Sequence, residues 1–465
     1  MNNSLKARTV LFLDILFVAG FAFASFLGDK ATGLFIVAGL LPIPFLLKIV
    51  PIEPLREPLW RLAAPAGLYF GYCLCTYFFF TGLAPNEKRP VNPDLELYVL
   101  AIALLVTGTL RGLLIPNLSH YFLRVMPFAL LCSFAVLAAL FLVTLPEGCQ
   151  RVKGLAAWPF IPALIFCTLS FLTMLQWRNK DSFQRFLCLA LLSLNSVVVL
   201  TFTAARGNAL AFFVVFGAFC LLTFFPRFRG RLPSWKQLLG ALAIGILMSA
   251  SLGVVTGCGA RMISVFSVFQ VLSSSAPQVS SHFQISAAEA AMPGVPSSYA
   301  PEQRPSSVQQ ASQPDIITAA SFDDFKHADL SAGERFEMWA TALGSIREAP
   351  LFGHGSMYLQ HLITERYGYE HNHNQYLSWL VTGGLLQLSI GLLFLGIPWL
   401  ISSGLEFSDR LVITLSVSLV WGISMIFDSY FNLKFYTHYY CLLIGLLYAI
   451  VNDMLIEARK ADKTS

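Results

Sequence analysis

Apolar residues run through this chain in long blocks, not in strict alternation. Twelve blocks of about twenty residues stand out, at 9–27, 32–49, 63–83, 96–115, 124–144, 157–175, 186–203, 208–225, 237–256, 375–401, 410–427 and 435–453. A helix of that length covers the hydrocarbon core of a bilayer. The pattern therefore predicts an all-α, polytopic membrane protein with about 12 transmembrane helices. Helices 1–9 fill 1–256, a large loop fills 257–374 between spans 9 and 10, and helices 10–12 with a tail fill 375–465. The first block ends in FAFAS, small residues at the interval of a signal-peptide cleavage site. Its apolar stretch over 10–27 is longer than a usual signal core, which favours a retained helix.

The pattern changes twice inside the long loop. Residues 272–321 are rich in Ser, Ala, Gln and Pro (LSSSAPQVSS, PEQRPSSVQQASQP) and hold few large apolar side chains. Such a stretch buries too little surface to offset the entropy of ordering, so a flexible insert is expected there. Residues 331–349 read instead as an amphipathic helix. SAGE (331–334) fits a capping box with Ser331 as N-cap, and Phe336, Trp339, Leu343 and Ile346 follow at helical spacing. Pro350 ends it, and in LFGHG (351–355) Gly353 and Gly355 allow a tight turn with close backbone approach.

Composition narrows the picture. The chain is 56% hydrophobic and 12% charged, against about a quarter charged in soluble domains. The net charge of +5 says little about nucleic acid, because the cations are spread over the loops, and no nucleic-acid partner is expected. Most of the nine cysteines lie in apolar runs as small hydrophobes, with no paired metal-site spacing. No metal and no cofactor are expected. Lys/Arg bias sets the orientation. With the N-terminus inside, eighteen of the 31 lysines and arginines fall in inside segments, RFRGR (227–231) foremost, against seven in short outside loops. Both termini are then cytoplasmic, and the 257–374 loop faces out.

Several polar residues need a reason within this frame. Arg206, in TFTAARGNALAFF, sits between two apolar runs with almost no loop. It is either a snorkelling interfacial arginine or a ligand for an anion, since a charge at membrane depth is costly enough to imply function. Arg335 lies in the first turn of the SAGERFEMW helix, where a cation gains most if an anion sits against both it and the helix amides. Its plain alternative is a solvated charge pairing with Glu334 or Glu337. In GYEHNHNQYLSW (368–379), His371 and His373 stand two apart. That spacing puts them on opposite faces of a strand and about 200° apart on a helix, so one ring facing a site is expected, not a matched pair. A helix starting near Asn374 would leave His373 at its N-terminus, favouring the neutral imidazole a general base needs. Asp428 is expected to pair with Lys434 in the last outside loop.

ERFEMWATALGSIREAPLFGHG, followed by HNHNQYLSWLVTGGLLQLSIGLL, resembles the O-antigen ligase and polymerase superfamily. The resemblance covers about 334–396 by motif and the whole chain by layout. It implies a metal-independent, inverting glycosyl transfer on the periplasmic face of the bacterial inner membrane. The donor is a glycan on undecaprenyl pyrophosphate, and the acceptor is lipid A-core for a ligase or a second lipid-linked repeat unit for a polymerase. By position it implies His373 as catalytic, with His371 as second choice, and Arg206 and Arg335 as pyrophosphate ligands. Arg261, just before the insert, competes with Arg335, and Asn374, Gly353 and Gly355 belong to the motif. A protein O-oligosaccharyltransferase, a small-anion transporter and an inert scaffold are the other readings.

Overall fold

The structure is a computed structural model that describes residues 12–21, 39, 42–46, 55–80, 93–115, 117–145, 152, 160–178, 181–257, 330–369 and 371–462. The described residues are almost entirely helical, with no strand among them. The 272–321 insert, Arg261 and the loop cysteines Cys149 and Cys258 lie outside them. The chain divides into two units. One comprises 1–265 and 335–465; the other, 266–334, is described only along the helix backbone from 330.

The helices are α1 (Phe12–Phe21), α2 (Trp60–Phe79), α3 (Pro93–Leu113), α4 (Leu118–Thr144), α5 (Phe160–Leu172), α6 (Ser182–Val197), α7 (Arg206–Leu222), α8 (Trp235–Val255), α9 (Leu330–Glu348), α10 (Tyr358–Tyr367), α11 (Gln375–Leu395), α12 (Phe407–Thr414, running on to Ser424) and α13 (Lys434–Asp462). Nine of the described helices are long and apolar enough to cross a membrane: α2–α6, α8 and α11–α13. α1 and α7 are shorter apolar helices that overlap two further predicted spans, 9–27 and 208–225. The predicted span at 32–49 is described only at 39 and 42–46, where a short helix runs Ile43–Leu46.

Small residues set the closest helix crossings. α3 and α13 form the most extensive pairing. A methyl on Gly108 would lie 2.5 Å from the Leu442 carbonyl, and one on Gly112 would lie 2.5 Å from the Ala449 methyl. This is the small-xxx-small logic of membrane helices, in which backbone approach replaces a hydrophobic driving force. α5 is the central helix, buried along nearly its whole length. Inside the bundle, Arg111 on α3 pairs with Asp14 on α1 at 2.6 Å, both buried, because neither charge tolerates the interior alone.

The bundle departs from regular α-helix at two kinds of place. α6 ends in a π-helical turn, Val198–Phe202, and α12 contains another, Leu415–Leu419. α11 is broken in the middle, with non-helical Gly383 (φ −137°, ψ 16°) and Gly384 (φ 63°, ψ −157°). The 350–355 turn fills the break. Leu385 and Leu386 amides donate to the Pro350 and Leu351 carbonyls at 2.9 and 3.3 Å. His354 and Gly355 amides donate to the Val381 and Thr382 carbonyls at 2.8 and 2.9 Å, and Tyr72 donates its hydroxyl to the Gly383 carbonyl at 3.2 Å. A broken helix is tolerated at membrane depth only when its freed groups find such partners.

α9 begins at Leu330, one residue ahead of the expected N-cap Ser331. Its buried stripe is Met338, Ala342 and Ser345, while Phe336 and Leu343 are exposed. The apolar face is therefore rotated from the one predicted. The small Ala342 lets α9 pack closely on Leu359 and Ile363 of α10 and Val381 of α11.

Candidate active site

The candidate site is built where the start of α11, the start of α7 and α9 meet the 425–432 segment between α12 and α13. Asn374 caps α11, its side-chain oxygen accepting from the Leu377 amide at 3.0 Å. The Gln375 amide donates to the Met425 carbonyl at 3.0 Å, and its side-chain oxygen accepts from the Phe431 amide at 2.7 Å. Buried Asn372 is the hub. Its side-chain oxygen accepts from the Asn374 amide (3.2 Å), Ser378 (2.9 Å) and Ser429 (3.3 Å). Its carbonyl accepts from Trp339 Nε1 of α9 at 2.9 Å.

The histidines do not diverge as i and i+2 positions should. His373 has φ 54°, and this left-handed residue swings the chain so that both rings face one point. The ring centroids are 4.4 Å apart. His373 Nδ1 lies 3.3 Å and His371 Nε2 3.4 Å from the same oxygen, Asp428 Oδ1. That oxygen also accepts from the Ser429 amide at 2.9 Å. Asp428 is thus a histidine partner, and the expected Asp428–Lys434 pair does not form. Lys434 instead reaches Glu96 of α3 at 2.7 Å.

Electrostatics assign the protons. Burial alone would push the Asp428 carboxyl up, but the hydrogen bonds from His371 and His373 hold it well below the usual carboxylate range. Burial pulls the His373 imidazole below its ordinary value of 6.5; the Asp428 hydrogen bond opposes this, and His371 and Arg335 add to the lowering. At neutral pH the site therefore holds an ionised Asp428 and a neutral His373. An ionised carboxylate can only accept, so His373 Nδ1 must carry the proton. Its Nε2 is left with a lone pair, which makes it a base.

The two arginines approach the same segment. Arg335 Nη1 donates to the Phe427 carbonyl at 3.2 Å, one residue from Asp428. Arg206 is the first residue of α7, following the π-helical turn and Ala204 at φ 45°. A methyl on Gly207 would lie 2.9 Å from Phe427 Cβ, so α7 starts against the residue whose carbonyl Arg335 holds. Tyr430 then donates to Asn208 Oδ1 of α7 at 2.8 Å. Ala204 and His373 are two of the three non-glycine residues with positive φ among those described. Backbone strain of this kind gathers at functional sites.

The structure thus brings His371, His373, Asn374 and Arg335 together around 427–429, with the helix start bearing Arg206 beside them. Gly353 and Gly355 stand apart, in the turn that fills the α11 break; a methyl on Gly353 would lie 2.5 Å from the Gly383 amide. Sequence reasoning gave Asp428 the wrong partner and missed Asn372 and Ser429. The polar cluster DSYFN (428–432) at a span end holds Asp428 and Ser429, and Asn372 stands between the two histidines of HNHN. It also set a metal aside because no third ligand lay at useful spacing. Asp428 supplies one: the ligand atoms of His371, His373 and Asp428 lie within 4.8 Å of one another. The same three atoms already satisfy each other by hydrogen bonding, and the nearby Arg335 charge opposes a cation.

Residues 188–395 match the family model described as O-Antigen ligase. The matched region holds Arg206, Arg335, both histidines and the broken α11, and it ends before Asp428. No curated protein matches the chain.

Proposed function

We propose that this multi-pass membrane protein is an O-antigen ligase, a reading supported by the match of residues 188–395 to the O-antigen ligase family model and by its long apolar helices. It takes a glycan from undecaprenyl pyrophosphate and attaches it to lipid A-core, without a metal and with inversion. The site then faces the periplasm of the inner membrane, both termini are cytoplasmic, and the 257–374 loop lies outside.

The observation that carries this reading is His373, neutral, tethered at Nδ1 to an ionised Asp428 and close to Arg335. In the proposed step an acceptor hydroxyl gives its proton to His373 Nε2. Its oxygen attacks the anomeric carbon from the face opposite the leaving group, and the bond from that carbon to the phosphate oxygen breaks. Arg206 and Arg335 hold the charge that develops on the departing undecaprenyl pyrophosphate, through planar forks that match phosphate oxygens. Asp428 keeps the imidazole in the useful tautomer and steadies the imidazolium, which later loses its proton to water. A positioned base of this kind contributes typically 10²–10⁴-fold.

The α11 break is a feature found in small-anion carriers, which bind cargo at broken helices. Here the freed groups at 381–386 are bonded to the 350–355 turn and Tyr72, which supports a structural role. A cell lacking the protein distinguishes the remaining readings on a glycan gel. A ligase leaves bare lipid A-core while polymer gathers on its carrier. Core bearing a single repeat unit would identify a polymerase, and an unchanged pattern would exclude both.

A further inference from the structure

The far end of these helices carries a second cluster, built of arginine and aromatic rings. α11 runs from the candidate site to a short helix, Ile397–Ile401, and α12 begins the return at Phe407. There the Arg410 guanidinium lies 3.5 Å over the Trp399 ring, and Arg410 Nε donates to the Trp399 carbonyl at 3.1 Å. Trp399 meets Phe407 edge-on at 6.3 Å, and Arg227, after α7, lies 4.8 Å over that same Phe407. Arginine, indole, phenyl and arginine thus form one ladder from segments far apart in sequence.

Further cations join it. Arg61, at the start of α2, donates to Glu57 at 2.8 Å and to Ser403. Glu57 interacts electrostatically with both Arg61 and Arg410, which also repel each other. Arg231 pairs with Glu406 and donates to Ser408 at 2.9 Å, and Arg229 is exposed beside it. The acids here are Glu57, Glu406 and the buried Asp409, fewer than the arginines they face. Stacking uses a guanidinium's faces, so Arg227 keeps its in-plane N–H groups and Arg410, whose Nε is given to Trp399, keeps its Nη groups for phosphate oxygens. Trp60, Phe224 and Trp235 stand exposed around the cluster, as side chains at a headgroup boundary do.

We propose that this cluster binds the phosphate headgroup of an anionic membrane phospholipid. Arg61 and Arg410, which interact with each other, hold the phosphate, and Arg227, beyond Phe407 at the other end of the ladder, adds its charge to the headgroup region, while the glycerol and upper acyl chains lie against Trp60, Phe224 and Trp235. The site lies at the opposite end of α11 and α12 from His373 and is independent of the glycan-transfer reading.

The test uses the full chain in phosphatidylcholine nanodiscs, with and without phosphatidylglycerol. Thermal unfolding and native mass spectrometry report bound lipid. Wild type should gain stability with phosphatidylglycerol and retain it. Each arginine near an anionic surface is worth about fivefold in affinity, so Arg227→Gln with Arg410→Gln should weaken retention about 30-fold. Because Arg410 also packs on Trp399, Arg227→Gln alone is read as well, with about a fivefold loss expected. Arg459→Gln, an exposed cation at the end of α13, should retain lipid like wild type. Equal response of wild type and both Arg227 variants, or an equal loss in Arg459→Gln, would overturn the proposal. So would full stabilisation by inorganic phosphate in phosphatidylcholine alone, which would mark a soluble-anion site.

Discussion

Asp428→Asn is the sharpest perturbation of the candidate site. The amide keeps the size of the carboxylate but removes its charge. Asp428 Oδ1 takes three contacts, at 2.9 Å from the Ser429 amide and 3.3 and 3.4 Å from the two histidines. An amide oxygen can still accept, but it no longer forces His373 Nδ1 to carry the proton. An amide NH₂ turned toward the ring would select the opposite tautomer and block Nε2 as a base. Loss of an oriented base is worth about 10²–10⁴ in kcat, or about 3–5 kcal/mol of barrier. The assay is transfer of lipid-linked glycan to purified lipid A-core by reconstituted protein, with kcat followed against pH. In wild type His373 must be neutral to act, and burial sets its pKa below 6.5. Activity should therefore hold at neutral pH and fall on acidification, with an acid limb below 6.5. Asp428 raises the His373 pKa, so Asp428→Asn should lower the plateau and also move the acid limb to still lower pH. A variant within threefold of wild type, with an unmoved limb, would refute the dyad.

Other substitutions probe the remaining parts. His371→Ala should cost less than about tenfold, since the His373–Asp428 contact survives; a loss equal to that of His373→Ala would make His371 the base. Arg335→Ala and Arg206→Ala should each weaken use of the donor by about 10²-fold or more, with lysine a poor substitute at a forked phosphate contact; unchanged donor saturation curves would remove them from the pyrophosphate site. Gly384→Ala places a methyl at φ 63° and 2.5 Å from the Phe352 amide nitrogen. A strained backbone costs about 1–3 kcal/mol before any clash, so thermal unfolding should drop by several degrees; an unshifted transition would show that α11 can heal its break.

Much of the layout was legible because membrane spans announce themselves by length and apolarity alone. Arg206 stands out in the sequence as a costly polar group between two spans, and Arg335 and His373 stand out at the starts of helices within the motif. What the sequence hid was convergence. The rule that i and i+2 residues diverge assumes regular backbone, and His373 at φ 54° is not regular. Asp428 was assigned to Lys434 because they are neighbours in sequence, yet its partners lie 55 and more residues earlier, and Lys434 bonds to Glu96, 338 residues away. The glycine pair in α11 read as an element of a motif. Its physical meaning, a helix opened to receive the backbone of the 350–355 turn, needed the two segments side by side. The face of α9 was misread because Ala342, poorly hydrophobic by itself, is what permits close packing.

Everything proposed for the site turns on His373 driving, without a metal, the transfer of a lipid-linked glycan to lipid A-core. That transfer can be measured in proteoliposomes, comparing wild type, wild type with chelator, and His373→Ala inserted at equal level. Full activity is expected with chelator present, and a loss of at least about 10²-fold in His373→Ala. Wild-type transfer by His373→Ala, or activity abolished by chelator and restored by a divalent cation, would contradict it.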